Sequence, residues 1–413
     1  LPMPGPGYYF IGEDEEREVL EVIRSGHLNR YGSENDPKFK KKVFTLEHEV
    51  AKKFGGKYGL AVTSGTSALI VALAALRIGP GDEVICPGYT FIASMSSVIT
   101  VGAVPVLAEI DESLNLDPKD VERKITAKTK AILAVHMLGN PCALAELKAI
   151  ADKHGLYLIE DTAQAFGGKY RGKYLGTIGK IGTYSFNVYK TINAGDGGLI
   201  LTDDEDLFKT AFAVHDQGHM PLRTGLEVGN RSVVGQNFRM NELTGAVLLA
   251  QFRKLDPLLE RLHTIKKQFK DILTAELPRL EFRKLNDEKG EIATLLTVLL
   301  PSKEDADEIA TKLGTKTISH SGWHVYSNME QILGKKQLAA GAPFRSKEFP
   351  TDVVYEKGML PKTDAILNRA INISIGVVDG GLGSAFGVNP LSTDKEIEET
   401  AMKFVAAASY CCK

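Results

Sequence analysis

Between residues 58 and 204, short runs rich in Val, Ile and Leu alternate with stretches in which apolar residues recur at helical spacing. That alternation is the pattern of βαβ units around a buried sheet. Strands are expected at Tyr58–Val62, Glu83–Cys86, Val104–Ile110, Ala131–His136, Tyr157–Glu160, Ile181–Phe186 and Gly198–Thr202. They predict an α/β fold with one large, mostly parallel, seven-stranded sheet. Upstream, a helix is expected around Glu13–Ser25, followed by a polar, loop-like stretch. Downstream, Glu242–Leu273 has apolar residues at helical spacing with an interruption at Pro257, and reads as a long helical connection leaving the sheet. A boundary near residue 255 follows. It divides a large domain with an N-terminal arm (1–255) from a smaller C-terminal α+β domain (256–413). In the latter, Ile292–Leu300 reads as a strand, and Lys303–Leu313 and Asp394–Ala407 read as helices.

Length agrees with two domains, since 413 residues, 43% of them hydrophobic, exceed the roughly 250–300 at which a single core stops growing. The 50 Lys and Arg nearly cancel the 52 Asp and Glu, and neither sign gathers into a long block. A nucleic-acid groove or an acidic membrane surface is therefore not the expected partner, and small molecules are. Cys86, Cys142, Cys411 and Cys412 lack the paired spacings of a zinc site or a disulfide framework, so no metal is expected and a reducing cytoplasm fits. The opening Leu1-Pro2-Met3-Pro4-Gly5-Pro6-Gly7 has neither the charged nor the apolar region of a signal peptide, and no apolar run reaches the ~18 residues of a membrane span. A soluble, non-exported protein is expected.

Three motifs carry candidate chemistry. Thr63-Ser64-Gly65-Thr66-Ser67 lies between an expected strand and the helical run Ala68–Leu76, where glycine lets the backbone approach an anion and helix-terminal amides and hydroxyls can donate to it. A simple small-residue turn with a helix cap is the alternative. The apolar run Leu156–Ile159 ends in Glu160-Asp161 at the carboxyl edge of the sheet, where ligands of open α/β sheets bind. A carboxylate there can keep a pyridine nitrogen protonated, or simply cap the next helix. Ser185-Phe186-Asn187-Val188-Tyr189-Lys190 precedes the turn Gly195-Asp196-Gly197-Gly198, which can hold Lys190 in a crevice where desolvation or a cationic neighbour lowers its pKa. Such an amine can condense with an aldehyde. Phosphate donors, a carboxylate and an amine are together the parts of a pyridoxal-phosphate site.

With Pro87-Gly88-Tyr89-Thr90-Phe91, Pro105-Val106, Val135-His136 and Asn237-Phe238-Arg239 added in order, the chain from about residue 8 to 260 resembles the StrS/DegT-type sugar aminotransferases, which are fold-type-I pyridoxal-phosphate enzymes. The resemblance implies that Lys190 is the catalytic lysine, joined to the cofactor aldehyde until the amino donor displaces it, and then the base that moves a proton. It implies that Asp161 pairs with the ring nitrogen, that Phe91 stacks on the ring, and that Gln164 lies near the ring oxygen or the opposite face. Gly65, Thr66 and Ser185 would hold the phosphate, and Asn237 would reach the phosphate of a neighbouring subunit, which implies a homodimer with shared sites. Pyridoxamine 5'-phosphate would be the form carrying the amino group between donor and acceptor.

Two positions depart from the commonest family pattern. Asp196 stands where Glu is usual, one methylene shorter, and Phe238 stands where Tyr is frequent, so any hydroxyl contact there is missing. Relatives that dehydrate sugars carry histidine at the lysine position, and this chain keeps Lys190, which favours transamination.

For the substrate, His215, Arg239, Trp323 and His324 are candidates, because aromatic faces and hydrogen-bonding groups suit sugar rings and hydroxyls. A structural histidine and a packed tryptophan are the plain alternatives. The stretch Gly376–Gly387 has no phosphate-loop lysine and reads as an irregular loop. The leading expectation is transfer of an amino group from L-glutamate or L-glutamine to a keto or aldehyde sugar, either nucleotide-linked or free, such as an 8-oxo octulosonate. A cyclitol (inosose) aminotransferase is the alternative in the same class. A non-catalytic, cofactor-binding regulator is the alternative of another class, and it could tolerate loss of Lys190, Asp161 or Asn237.

Overall fold

A computed structural model describes residues 4–33, 35–221, 233–338 and 341–413. Among the described residues, nine strands precede the long helical connection: β1 (Tyr58–Val62), β2 (Glu83–Pro87), β3 (Val104–Ala108), β4 (Thr129–Val135), β5 (Tyr157–Asp161), the small hairpin β6 (Lys169–Tyr170) and β7 (Lys173–Tyr174), β8 (Ile181–Ser185) and β9 (Gly198–Thr202). Apart from the hairpin, they form one seven-stranded sheet in the order β1-β9-β8-β5-β4-β2-β3. Only β9 runs against the rest, pairing antiparallel with β1 and β8, while β8-β5-β4-β2-β3 pair in parallel. The sheet is the one expected from the seven apolar runs, with ends that shift by up to two residues.

The sheet is covered because its strands are apolar on both faces, as parallel sheets require. All five residues of β8 and of β9 are buried. The helix Gly65–Ala75, with sequence GTSALIVALAA, is small or apolar on almost every side. It is accordingly sandwiched between the strands and the helices Ala93–Thr100 and Glu205–His215.

The expected long connection is two helices, Glu242–Arg253 and Leu255–Glu276, broken at Lys254. Pro257 sits in the first turn of the second helix, where its missing N–H has no intrahelical acceptor to lose. Beyond it, β10 (Glu281–Phe282), β11 (Leu295–Leu299) and β12 (Ala370–Ser374) form a small antiparallel sheet. The helix Asp394–Cys412, opened by a Thr393/Glu396 capping box, packs on Leu255–Glu276. One apolar cluster joins Phe186 and Leu199 of the large sheet to Leu258, Leu262 and Phe269 of the long helix and to Ile371, Ile373 and Phe404, so the core continues past residue 255. Among the described residues no helix is long and apolar enough to cross a membrane.

Candidate active site

Because β4, β5 and β8 run in parallel and in register, their carboxyl ends bring Val135, Asp161 and Ser185 to one edge of the sheet. A cavity of about 590 Å³ opens there, closed on its far side by Thr294 and Leu295 at the start of β11 and by Val377, Asp379 and Leu382 after β12.

One end of the cavity is the N-terminus of the helix Gly65–Ala75. Ser64 caps it by accepting from the Ser67 amide at 3.0 Å, which leaves the Gly65 and Thr66 amides without an acceptor among the described residues. A Cβ on Gly65 would stand 2.6 Å from Ser185 Cβ, and one on Gly198 would stand 2.2 Å from Ser64 O. Only glycine at these two positions lets the turn and the end of β8 lie close enough for both to face one anion.

Glu160 and Asp161 part company because successive residues of a strand point to opposite faces. Glu160 turns away from the cavity, where it accepts from His136 Nε2 at 3.1 Å and from the amides of Gly176, Ile178 and Gly179 at 2.8, 2.7 and 2.6 Å. Burial opposes its ionisation, but those donors outweigh burial and hold the carboxyl below its ordinary value. His136 Nδ1 accepts from the Cys142 amide at 3.0 Å, so the ring proton lies on Nε2 and is donated to Glu160. Asp161 faces the cavity, accepting from Ser94 Oγ at 2.9 Å and from the Ala163 amide at 3.1 Å. Burial pushes it above its ordinary value despite those bonds and the nearby Lys190.

Lys190 follows β8 in a turn closed by Lys190 N donating to Asn187 O at 2.9 Å and Ala194 N donating to Phe186 O at 3.1 Å. No hydrogen bond or ion pair engages its Nζ among the described residues. Burial lowers the amine below the ordinary lysine value, against the opposing pull of Asp161 and Asp379.

The mouth of the cavity is aromatic. Tyr89 bridges Val325, Thr90 N donates to His324 O, and Ile92 N donates to Trp323 O, both at 2.9 Å, so segments far apart in sequence run side by side. They bring the rings of Phe91 and His324 to 5.4 Å, tilted by 49°. Phe91 and Trp323 are 41% and 58% exposed at the opening, free to meet a ligand. His324 shares a proton with Ser321 Oγ over 2.8 Å, and burial, aided by Lys190, pushes its pKa down to about 3. Gln164 also lines the cavity, its Oε1 accepting from the Leu138 amide at 2.9 Å.

Three sequence candidates lie elsewhere. His215 is fully buried, with Nδ1 bonded to Phe212 O at 2.5 Å and Nε2 3.3 Å from Arg30, so it is a core residue that no sugar can touch, which corrects its expected substrate role. Arg239 pairs with Asp216 outside the cavity of its own chain. Asn237 is exposed on the segment that bridges Asp216, likewise off the wall of its own cavity. Conversely, Asp379, Thr294 and Leu295 escaped sequence reading, since nothing local marks a loop or a strand start as returning to a distant sheet edge.

The model of the DegT/DnrJ/EryC1/StrS aminotransferase family matches residues 10–377. The chain belongs to this family. Over 275 residues it is 36% identical to the GDP-perosamine synthase of Escherichia coli O157:H7, across 66% of this chain and 73% of the relative. It is 37% identical over 281 residues to the L-glutamine:2-deoxy-scyllo-inosose aminotransferase of Streptomyces kanamyceticus, across 64% of each. The structure also matches that of S. venezuelae DesV in complex with a ketimine intermediate, with a TM-score of 0.76 and 26% identity over 100% of both chains. The chain is thus an aminotransferase dependent on pyridoxal phosphate, with the fold-type-I architecture.

The cavity suits the family's cofactor. Among the described residues, two unengaged helix-terminal amides can receive a phosphate, a buried carboxylate lies at the end of β5, and an unpaired amine lies within electrostatic reach of that carboxylate.

Proposed function

We propose that this chain moves an amino group from L-glutamate or L-glutamine to a keto or aldehyde carbon of a sugar, with Lys190 as the proton carrier. The observation that carries this reading is the Lys190 amine, unpaired among the described residues and lowered in basicity by burial, in one cavity with the Asp161 carboxylate. The cofactor, when bound, supplies an electron sink for the carbon that loses a proton. Gly65, Thr66 and Ser185 would hold its phosphate, Asp161 would keep its ring nitrogen in the charged form, and Phe91 and Gln164 would confine the ring. Lys190 Nζ would take the proton from the donor carbon that bears nitrogen and return it on the far side of that nitrogen, a 1,3 shift in which one group serves as base and then acid. Trp323 and His324 sit where the acceptor enters, and His324 meets it as a neutral imidazole.

The exposed Asn237 suits a site completed across a homodimer, with Asn237 reaching the cofactor phosphate of the second subunit. Residues 1–255 form the cofactor-holding part and 256–413 close the cavity. The four free thiols suit a reducing cytoplasm.

The acceptor is a nucleotide-linked sugar or a free keto or aldehyde sugar such as an 8-oxo octulosonate. An inosose is the second reading, favoured by the 37% identity to the inosose aminotransferase. Single-turnover assays with the aminated cofactor form, offering a nucleotide-linked keto sugar, a free keto sugar and an inosose in turn, separate them. The true acceptor restores the aldehyde form of the cofactor, and failure of every sugar alongside success with the inosose overturns the first reading.

A further inference from the structure

Asp379 stands five residues beyond the end of β12, at the start of the short turn Gly380–Leu382, where its Oδ1 accepts from the Gly381 amide at 2.8 Å. The loop around it is fixed. Ser384 Oγ donates to Val377 O at 2.8 Å and accepts from the Asp379 amide at 3.1 Å. Asn372 Nδ2 donates to Leu382 O at 2.8 Å, and Thr315 Oγ1 donates to Gly383 O at 3.0 Å. Burial pushes the Asp379 carboxyl above its ordinary value against the pull of the Gly381 amide, Lys190 and the Leu382 amide, and Asp379 lines the same cavity as Lys190.

The charged and titratable groups around Lys190 come from its own turn, which adds Tyr189, raised in pKa by burial and by Asp379, and from other elements. Asp161 belongs to β5 and Asp379 to the loop after β12, while His324, on the segment beside Phe91, is neutral above pH of about 3. Asp196 lines the cavity but accepts from Asn187 Nδ2 at 3.2 Å. A cationic ring nitrogen against Asp161 matches that carboxylate's charge. Asp379 is then the carboxylate left to face the lysine in the phase when its amine is free.

We propose that Asp379 is a positioning residue that acts through Lys190, aiming its amine and keeping it basic enough to hold the proton it must move. The inference rests on the assignment of Lys190 as proton carrier. A buried amine without a counter-charge binds protons too weakly to be an effective base, whereas a carrier works best with a pKa near the working pH. A fixed carboxylate opposes the effect of burial without forming the tight ion pair that would immobilise the amine.

The test is made on the holoenzyme with pyridoxamine phosphate bound, in which Lys190 is free. Trace labelling with acetic anhydride across a pH series, read at the Lys190 peptide by mass spectrometry, gives the midpoint of its titration. Asp379→Asn is the informative variant, because its amide oxygen still accepts from Gly381 while the negative charge is lost. Its midpoint should fall by about one pH unit or more, with kcat for glutamate reduced and its KM little changed, while Asp379→Glu restores the midpoint. An unchanged midpoint, or a loss confined to KM for the acceptor, overturns the proposal. Transamination surviving in Lys190→Ala would instead overturn the proton-carrier assignment, and the labelling result is independent of it.

Discussion

Ser94 Oγ donates to Asp161 Oδ2 at 2.9 Å, the one side-chain hydrogen bond to that carboxylate among the described residues. Burial raises the Asp161 pKa, and Ser94 is the largest influence opposing it. The ionised state that a protonated ring nitrogen needs is therefore maintained partly from the helix Ala93–Thr100, away from the strand that bears Asp161. Ser94→Ala should weaken cofactor retention by roughly tenfold, the equivalent of one hydrogen bond to a charged group. Equilibrium dialysis followed by the cofactor's absorbance checks this, and retention equal to wild type would remove Ser94 from the account.

Glu160 is predicted to serve the fold and not the reaction. Glutamine at this position turns an N–H₂ toward donors that the carboxylate now accepts, which should cost about 2–4 kcal/mol of stability. The folded-state pKa of Glu160 lies below its ordinary value of 4.5. Its contribution to stability is thus fully present above pH 4.5 and is lost as pH falls from there through the folded value. Thermal melts from pH 7 down to about 3 should show Glu160→Gln less stable at neutral pH and closer to wild type in acid. A constant difference across that range would contradict the assignment.

His324 enters the cavity uncharged, with a pKa pushed down to about 3. Any acid limb of the rate profile near pH 6 must therefore come from another group. His324→Gln should alter acceptor KM while leaving the midpoint of that limb in place, as steady-state profiles of both enzymes will show. A displaced midpoint would mean that the imidazole titrates during turnover.

Much of this site was legible in the sequence because its parts lie at strand ends, and a strand is marked by a local apolar run. Gly65, Asp161, Ser185 and Lys190 each follow or border such a run, and the parallel register of the sheet brings them together. Long-range contacts leave no such mark. Asp379 lies in a glycine-rich stretch that reads as a loop, and only the return of β12 to the cavity reveals it. Trp323 and His324 were visible as residue types, but their pairing beside Thr90 and Ile92 was not. His215 misled because a polar residue near a loop resembles a surface ligand, whereas Arg30 and Phe212 draw it into the core.

The central claim is that Lys190 carries the proton between amino donor and cofactor. Absorption spectra of the purified holoenzyme and of Lys190→Ala, before and after L-glutamate, test it most directly. The wild-type band near the visible edge should be replaced at shorter wavelength as the cofactor is aminated, with no such conversion in the variant on the same timescale. Conversion at wild-type rate by Lys190→Ala would contradict the account.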